Sequence, residues 1–153
     1  MLPTIVVDTR EQAPWAPCLC LSGKRHVLPS VSHGLSFGDY AIDGYESALA
    51  IERKSLQDAA GSAIGSWENE IKKVARAEVA GARYVVLIEA VRADVLANGY
   101  WGQASPRSIL ARWDSMALDL GVPVVWGGPR EECERLCGWM LARWWGKRIK
   151  KVA

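Results

Sequence analysis

No apolar run in this chain approaches the ~18 residues that a membrane-spanning helix requires, so a transmembrane helix is excluded. The opening residues, Met-Leu-Pro-Thr-Ile-Val-Val-Asp, have no basic stretch ahead of an apolar one and meet an acid at Asp8. That pattern predicts no secretory signal and an intracellular protein, cytoplasmic or nucleoid-associated. Cysteine is scarce, four in 153 residues, arranged as Cys18-x-Cys20 and Cys133-x-x-x-Cys137. Neither pair has zinc-knuckle spacing, and an intracellular setting disfavours a disulfide. Excess charge of one sign is also missing. With 19 Lys+Arg against 17 Asp+Glu the net charge is +2, too small to argue for a nucleic-acid partner by itself. There is no internal repeat, no low-complexity tract and no linker that would divide domains. No G-x-G-x-x-G follows the first strand, which removes a dinucleotide-dependent enzyme on a Rossmann-like sheet.

What remains is ordinary globular composition, 50% hydrophobic and 24% charged, in a chain long enough for one core. A single domain over residues 1–153 is the expectation. Charge is unevenly placed. Residues 1–60 carry 5 basic and 7 acidic side chains, whereas residues 121–153 carry 7 basic and 3 acidic. An acid-richer front and a basic tail suit a metal site at one end and phosphate contact at the other. A solvated helix end accounts for the tail equally well.

The elements alternate. Thr4–Val7 is a short β-branched strand, and Glu11–Lys24, with Pro14, Pro17 and Gly23, reads as a loop. Strand-like pieces follow at Val27-Leu28, Gly34–Ile42 and Ser47–Arg53, with the turn Asp43-Gly44 between the last two. That hairpin sets Asp39 and Glu52 on neighbouring antiparallel strands. A short helix is expected at Ser55–Ala60. A second begins at an N-cap Ser66, ends at Gly81 and has Trp67, Ile71, Val74 and Ala75 as its apolar face. Tyr84–Glu89 is a continuous apolar run, the signature of a strand covered on both sides. Ser105-Pro106 opens a helix closed by Gly121, Val122–Trp126 is a further strand, and Pro129 opens a last helix to about Lys147. A strand meander followed by β-α-β-α predicts an α/β fold, a central mixed sheet flanked by helices. Cys133, Cys137, Leu136, Met140, Leu141 and Trp144 form the last helix's core stripe, and Trp139 points away from it, as a partner surface would. His26 and His33 read as loop residues.

The chemistry is concentrated in the first sixty residues. Asp8 ends one strand, Asp39 starts another, and Glu52, Arg53 and Lys54 end a third, with Asp58 four residues on. Glu52 and Lys54 are two apart on a strand and share a face, while Arg53 points to the other. Carboxylates from three strands then meet at one sheet edge beside a lysine. Hard cations such as Mg2+ take oxygen ligands from few carboxylates, water and substrate phosphate. Phosphodiester hydrolysis uses such a metal, with an ammonium to orient water and offset charge. Taken alone, Glu52-Arg53-Lys54 also fits an edge-strand charge run that guards against aggregation.

Val-Asp-Thr-Arg-Glu (Val7–Glu11), Gly38-Asp39-Tyr40 and Glu-Arg-Lys-x-x-x-Asp (Glu52–Asp58) together resemble the XPF-type nuclease domain, a branch of the PD-(D/E)XK superfamily with the restriction-endonuclease-like fold. The resemblance continues through Gly61-Ser62, the acid-rich helix at Trp67 and Tyr84–Glu89. It implies Mg2+ or Mn2+ held by Asp39, Glu52 and the Arg53 carbonyl, with Asp8 and Glu11 completing the acidic cluster and Asp8 as a further ligand. Lys54 would be catalytic, Arg10 and Arg53 would handle phosphate or brace the cluster, and Asp58 would support it. DNA would be the substrate, cut at its phosphodiesters, and pairing into a homodimer would use the last two helices and the strand between them. Lys72, Lys73, Lys147, Arg148, Lys150 and Lys151 are the candidate DNA contacts. Two departures stand out. Gly65-Ser66-Trp67 lacks the arginine usual in that family's Gly-Arg-aromatic step, and no helix-hairpin-helix module follows. A catalytically silent, DNA- or partner-binding relative is the rival reading, although such relatives tend to lose the motif residues that are intact here.

Overall fold

The computed structural model describes residues 2–98 and 101–152, without the side chains of Lys150, Lys151 and Val152, so those two lysines lie outside the described residues as DNA contacts. Strand β1 (Ile5–Val7) is the predicted β-branched run. A hairpin of β2 (Cys18–Leu21) and β3 (Lys24–Val27) follows, where the sequence predicts a loop. The reason is the Ser22-Gly23 step between them. Both residues take positive φ (51° and 74°), the two-residue turn whose twist matches a hairpin. His26 therefore sits in a strand, not a loop.

Strand β4 (Ser30–Ser32) pairs parallel to β1. The predicted strand Gly34–Ile42 contracts to β5 (Tyr40–Ile42), because the Leu35 N–H is taken by the Asp8 carboxylate (2.7 Å) instead of a ladder partner. Strand β6 (Leu49–Ser55) runs antiparallel to β5, with Tyr40 opposite Ile51. Gly38 makes their junction possible. It has φ 72°, and a Cβ there would lie 2.8 Å from Ala50 Cβ. Backbone contact this close lets the Asp39 N–H reach the Ile51 carbonyl at 2.9 Å.

Helix α1 (Leu56–Gly65) is longer than predicted and starts at an N-cap Ser55, whose hydroxyl accepts the Asp58 N–H. Helix α2 (Trp67–Val79) begins at Ser66, which makes no side-chain cap bond. Strand β7 (Arg83–Glu89) lies parallel to β6, and the short helix α3 (Arg92–Ala97), unpredicted, follows it. Helix α4 (Pro106–Leu120) has the predicted Ser105 cap and ends at Gly121. Strand β8 (Val124–Trp126) is parallel to β7, and α5 (Arg130–Val152) runs past the predicted end at Lys147.

The six-stranded mixed sheet has the order β4-β1-β5-β6-β7-β8, with β2-β3 as a separate ribbon. The alternation of β6 and β7 divides the core. Ala50, Val86 and Ile88 pack with α1, α2 and α4, including the fully buried Trp113. Leu49, Ile51, Val85 and Leu87 pack with Cys133, Cys137 and Leu141 of α5, the stripe the sequence marks. This is the predicted α/β architecture. One helix is turned differently. On α2 the buried residues are Glu70, Val74 and Ala77, with Trp67 partly buried, while Ile71 is 37% exposed and Ala75 is exposed. The predicted face at Ile71 and Ala75 gives way because Glu70 is drawn inward by a lysine of β6.

Candidate active site

The C-terminal end of β6 arms both faces of the sheet. Because β6 alternates, Arg53 turns toward α5, and Glu52 and Lys54 turn toward α2. On the first side Arg53 Nη1 bonds Glu11 Oε1 at 3.0 Å and the Ala13 carbonyl at 2.9 Å, and Nη2 reaches Glu89 Oε2 at 3.2 Å. Its guanidinium also lies over the Trp15 ring, 5.2 Å from the centroid. That ring stacks on Tyr40, and its Nε1 donates to Glu89 Oε2 at 2.7 Å. Arg53 is thus a brace, fixed by two carboxylates and an aromatic face.

On the other side stands a compact charged network. Lys54 Nζ is 2.7 Å from Glu70 Oε1 and 3.5 Å from Glu52 Oε1. Lys73 Nζ is 2.5 Å from Glu52 Oε1 and 3.4 Å from Glu70 Oε1. The Ser62 hydroxyl donates to Glu70 Oε1 at 3.1 Å. Glu52, Lys54 and Glu70 are all buried, so each charge depends on these partners. Glu70 Oε2, also buried, has no partner.

Between the two sides opens a cleft of about 160 Å³, lined by Arg10, Glu11, Asp39, Glu52, Arg53, Ser55 and Asp58. Asp39, half-buried, accepts the Arg53 N–H on Oδ2 at 2.8 Å. Burial and the neighbouring Glu52 charge push its carboxyl up to about 7. A carboxylate kept from ionising by burial and another carboxylate is a group that a cation would relieve. Asp58 belongs to the cap of α1 and accepts the Ser55 hydroxyl at 2.7 Å.

Asp8 stands behind the cleft. It is buried, and its two oxygens accept four hydrogen bonds: from Arg10 N and Nε on Oδ1, and from Arg10 Nη2 and Leu35 N on Oδ2. These bonds, those of the Arg10 side chain foremost, hold its carboxyl down at about 2. Arg10 itself is 72% exposed at the mouth of the cleft.

The ERCC4 domain family matches residues 7–136, a span that contains every acidic motif described above. The chain belongs to the ERCC4 domain family. The fold agrees. An XPF from Aeropyrum pernix, 21% identical, superposes with a TM-score of 0.70 over 98% of this chain and 68% of its own. An XPF from Aeropyrum pernix in complex with DNA, 22% identical, gives 0.63 over 95% of this chain and 66% of its own. This chain therefore spans about two thirds of those chains. No curated protein sequence matches it.

In this ERCC4 domain the predicted site residues divide into three groups. Glu11, Asp39, Glu52, Arg53 and Asp58 share the cleft, with Arg10 at its mouth. Lys54 is immediately adjacent, held by Glu70. Asp8 does not line the cleft. The carboxylates Asp8, Glu11, Asp39 and Glu52 do not form a group of three with oxygens within 4.8 Å of one another. The one such metal-type group among the described residues is His33, Asp43 and Glu46, on exposed loops. Lys73, predicted as a DNA contact, instead caps Glu52, whereas Lys72 is exposed. Lys147 and Arg148 are exposed at the far end of the sheet. Lys147 shares an apolar groove with Arg83 at the start of β7, and Arg148 lies over Trp144, which meets Tyr45 of the β5–β6 turn.

Sequence reasoning misses Glu70, Glu89 and Trp15. The available signal for Glu70 is its phase: it stands four residues before Val74 and seven before Ala77, the two buried positions of α2. Glu89 closes an apolar strand and is opposite Ser55, the residue that caps α1.

Proposed function

We propose that this ERCC4 domain is a metal-dependent deoxyribonuclease that hydrolyses DNA phosphodiesters with Mg2+ or Mn2+. The observation that carries the reading is the pairing of Asp39, the residue just before β5 and not in the strand as the sequence predicts, with Glu52 of the adjoining β6, both lining one open cleft in which carboxylate charge is in excess. The donor set suits a hard cation: two carboxylates and the Arg53 carbonyl, all oxygen. Within a strand a residue's N–H and C=O point to the same side, and the Arg53 N–H is on Asp39, so its carbonyl faces that way too. The metal would supply an activated water and neutralise charge on the phosphoryl oxygens.

The chain's own residues supply the rest. Lys54 sets its ammonium next to the ligand Glu52, where it orients the attacking water and offsets transition-state charge. Arg53 locks Glu11 and the Glu89 edge, so the ligands keep their spacing as substrate enters. Asp8 serves as the anchor of Arg10, presenting a pre-ordered guanidinium to a backbone phosphate. The DNA complex of the Aeropyrum pernix XPF supports DNA as the substrate. A DNA substrate is in keeping with a protein that works inside the cell, in the cytoplasm or on the nucleoid.

A homodimer is part of the same proposal. Leu118 (84% exposed) and Leu120 on α4 and Trp139 (53%) on α5 are exposed apolar side chains on the two helices that flank the edge strand β8 in sequence. Leu120 and Trp139 line the apolar groove of about 730 Å³ that Lys147 shares. Two copies meeting there would cover the edge strand and the exposed tryptophan together. No helix among the described residues is long and apolar enough to cross a membrane. The reading is tested by incubating the protein with labelled linear, flapped and branched DNA, in Mg2+ and in EDTA. Cleavage of at least one substrate, only with the metal, is expected. No cleavage of any substrate with DNA still bound would favour the silent binding module.

A further inference from the structure

Glu52 is paired with the wrong partner for catalysis. As the metal-holding carboxylate it would give its charge to a cation, yet two ammonium groups already share its Oε1, Lys73 Nζ at 2.5 Å and Lys54 Nζ at 3.5 Å. Lys73 comes from α2, a different element, and its side chain is only 28% exposed, so this is not a casual surface pair. One helical turn earlier on the same helix, Glu70 keeps a buried oxygen, Oε2, with no donor at all. Buried carboxylate oxygens are almost always satisfied, and one left bare beside an ammonium calls for an explanation. Lys73 Nζ already lies 3.4 Å from the other oxygen of that carboxylate. The helix thus offers Lys73 two acceptors, one on the metal ligand and one just behind it.

We infer that Lys73 is the resident counter-ion of the metal site: it neutralises Glu52 while the site lacks a cation and gives up Glu52 to the cation by moving onto Glu70. This rests on the metal-dependent reading above. The arrangement explains how Glu52 stays buried without metal, since an isolated buried carboxylate is strongly disfavoured. Glu70 is then a positioning residue. It fixes Lys54 through Oε1 and holds Oε2 in reserve for Lys73. The exchange needs only a rotamer change of one long, flexible side chain, and the ammonium stays paired at both ends of it.

The consequence is a metal affinity set below what the carboxylates alone would give, because a cation must compete with the Lys73 ammonium for the Glu52 charge. The test is calorimetric titration of the whole chain with Mn2+, without DNA. Five proteins are compared: wild type, Lys73→Met, Lys73→Arg, Lys72→Met and Glu70→Gln. Methionine keeps the stem that fills the half-buried position and removes the charge. Lys73→Met should bind Mn2+ about tenfold more tightly, the effect of deleting one competing charge at contact range. Lys73→Arg, which keeps the competitor, should stay within about twofold of wild type, as should the exposed neighbour Lys72→Met. Glu70→Gln removes the resting place and should weaken Mn2+ binding even though Glu70 does not line the cleft. Unchanged or weaker binding by Lys73→Met overturns the inference, and so does equal tightening by Lys72→Met, which would mark a general charge effect. Wild type that takes up no Mn2+ overturns the metal-dependent reading and this inference with it, whereas wild-type binding that Lys73→Met leaves unaltered overturns only this one.

Discussion

Asp39→Asn should make the metal-free protein more stable at pH 8 while removing its ability to use metal. In the fold the Asp39 carboxyl is pushed up to about 7 by burial and by the Glu52 charge, against an ordinary 3.8. A raised carboxyl means that the native state holds its proton more tightly than the unfolded chain does. Stability is therefore lost as pH climbs from 3.8 through 7, and the loss is complete above that. The difference of about 3 units, at 1.36 kcal/mol each, sets a ceiling near 4 kcal/mol. Partial exposure of Asp39 and relaxation of its neighbours reduce this to about 1–3 kcal/mol. Asparagine cannot ionise, and its side-chain oxygen still accepts the Arg53 N–H that Asp39 takes at 2.8 Å. Urea unfolding in EDTA at pH 4, 6 and 8 is the assay. The two proteins should be nearly equal at pH 4, with Asp39→Asn ahead by an increasing margin to pH 8. Millimolar Mg2+ should then stabilise only the wild type, by mass action on the native state. A variant less stable than wild type at pH 8, or a margin that does not change with pH, would refute the reasoning.

Four other outcomes follow from the geometry. Lys54→Ala should slow DNA cleavage by about three orders of magnitude or more without weakening Mn2+ binding, measured by single-turnover kinetics and calorimetry, since the ammonium acts on the reaction and is not a ligand. Asp8, held at about 2 by the Arg10 hydrogen bonds, contributes stability present above pH 3.8 and lost as pH falls through 2, so Asp8→Asn should cost about 2 kcal/mol in urea unfolding at neutral pH and nearly nothing near pH 2. Trp139→Glu should give a monomer mass in sedimentation from micromolar to millimolar protein, while wild type shifts to a dimer over that range. Arg10→Ala should flatten the plot of log K for DNA against log salt by about 0.9, one duplex phosphate contact, and alanines at Lys147 and Arg148 should change it less, because those residues are at the opposite end of the sheet from the cleft.

Much of the site was legible because it depends on local rules. The alternation of β6 sends Glu52 and Lys54 one way and Arg53 the other, which follows from strand geometry alone. The run Tyr84–Glu89 reads as covered on both faces, and Tyr84–Ile88 is buried while Glu89 at its end is partly exposed. Trp139 reads as outward by helical phase, and it is 53% exposed. The missing parts depend on partners from distant segments. Hydrophobic periodicity favours Ile71 for the buried face of α2, and nothing local shows that Glu70 will be drawn in by Lys54, sixteen residues earlier. Lys73 looks like any solvated helix lysine until Glu52 is folded beneath it. Asp8 looks equivalent to the other acids, and only the return of the chain at Leu35 shows its oxygens fully engaged. The hairpin β2-β3 is hidden by flanking prolines, and its Ser22-Gly23 turn is a weaker signal than the Asp-Gly step that follows later in the chain.

The central claim is that Asp39 and Glu52 together hold the metal that hydrolyses DNA. Single-turnover cleavage of a labelled substrate, with wild type, Asp39→Asn and Glu52→Gln compared at fixed Mg2+ and in EDTA, tests it most directly. The account predicts metal-dependent cutting by wild type and a fall of several orders of magnitude in each variant, with both variants folded. Cutting by both variants at the wild-type rate, or cutting by wild type that EDTA does not stop, would contradict it.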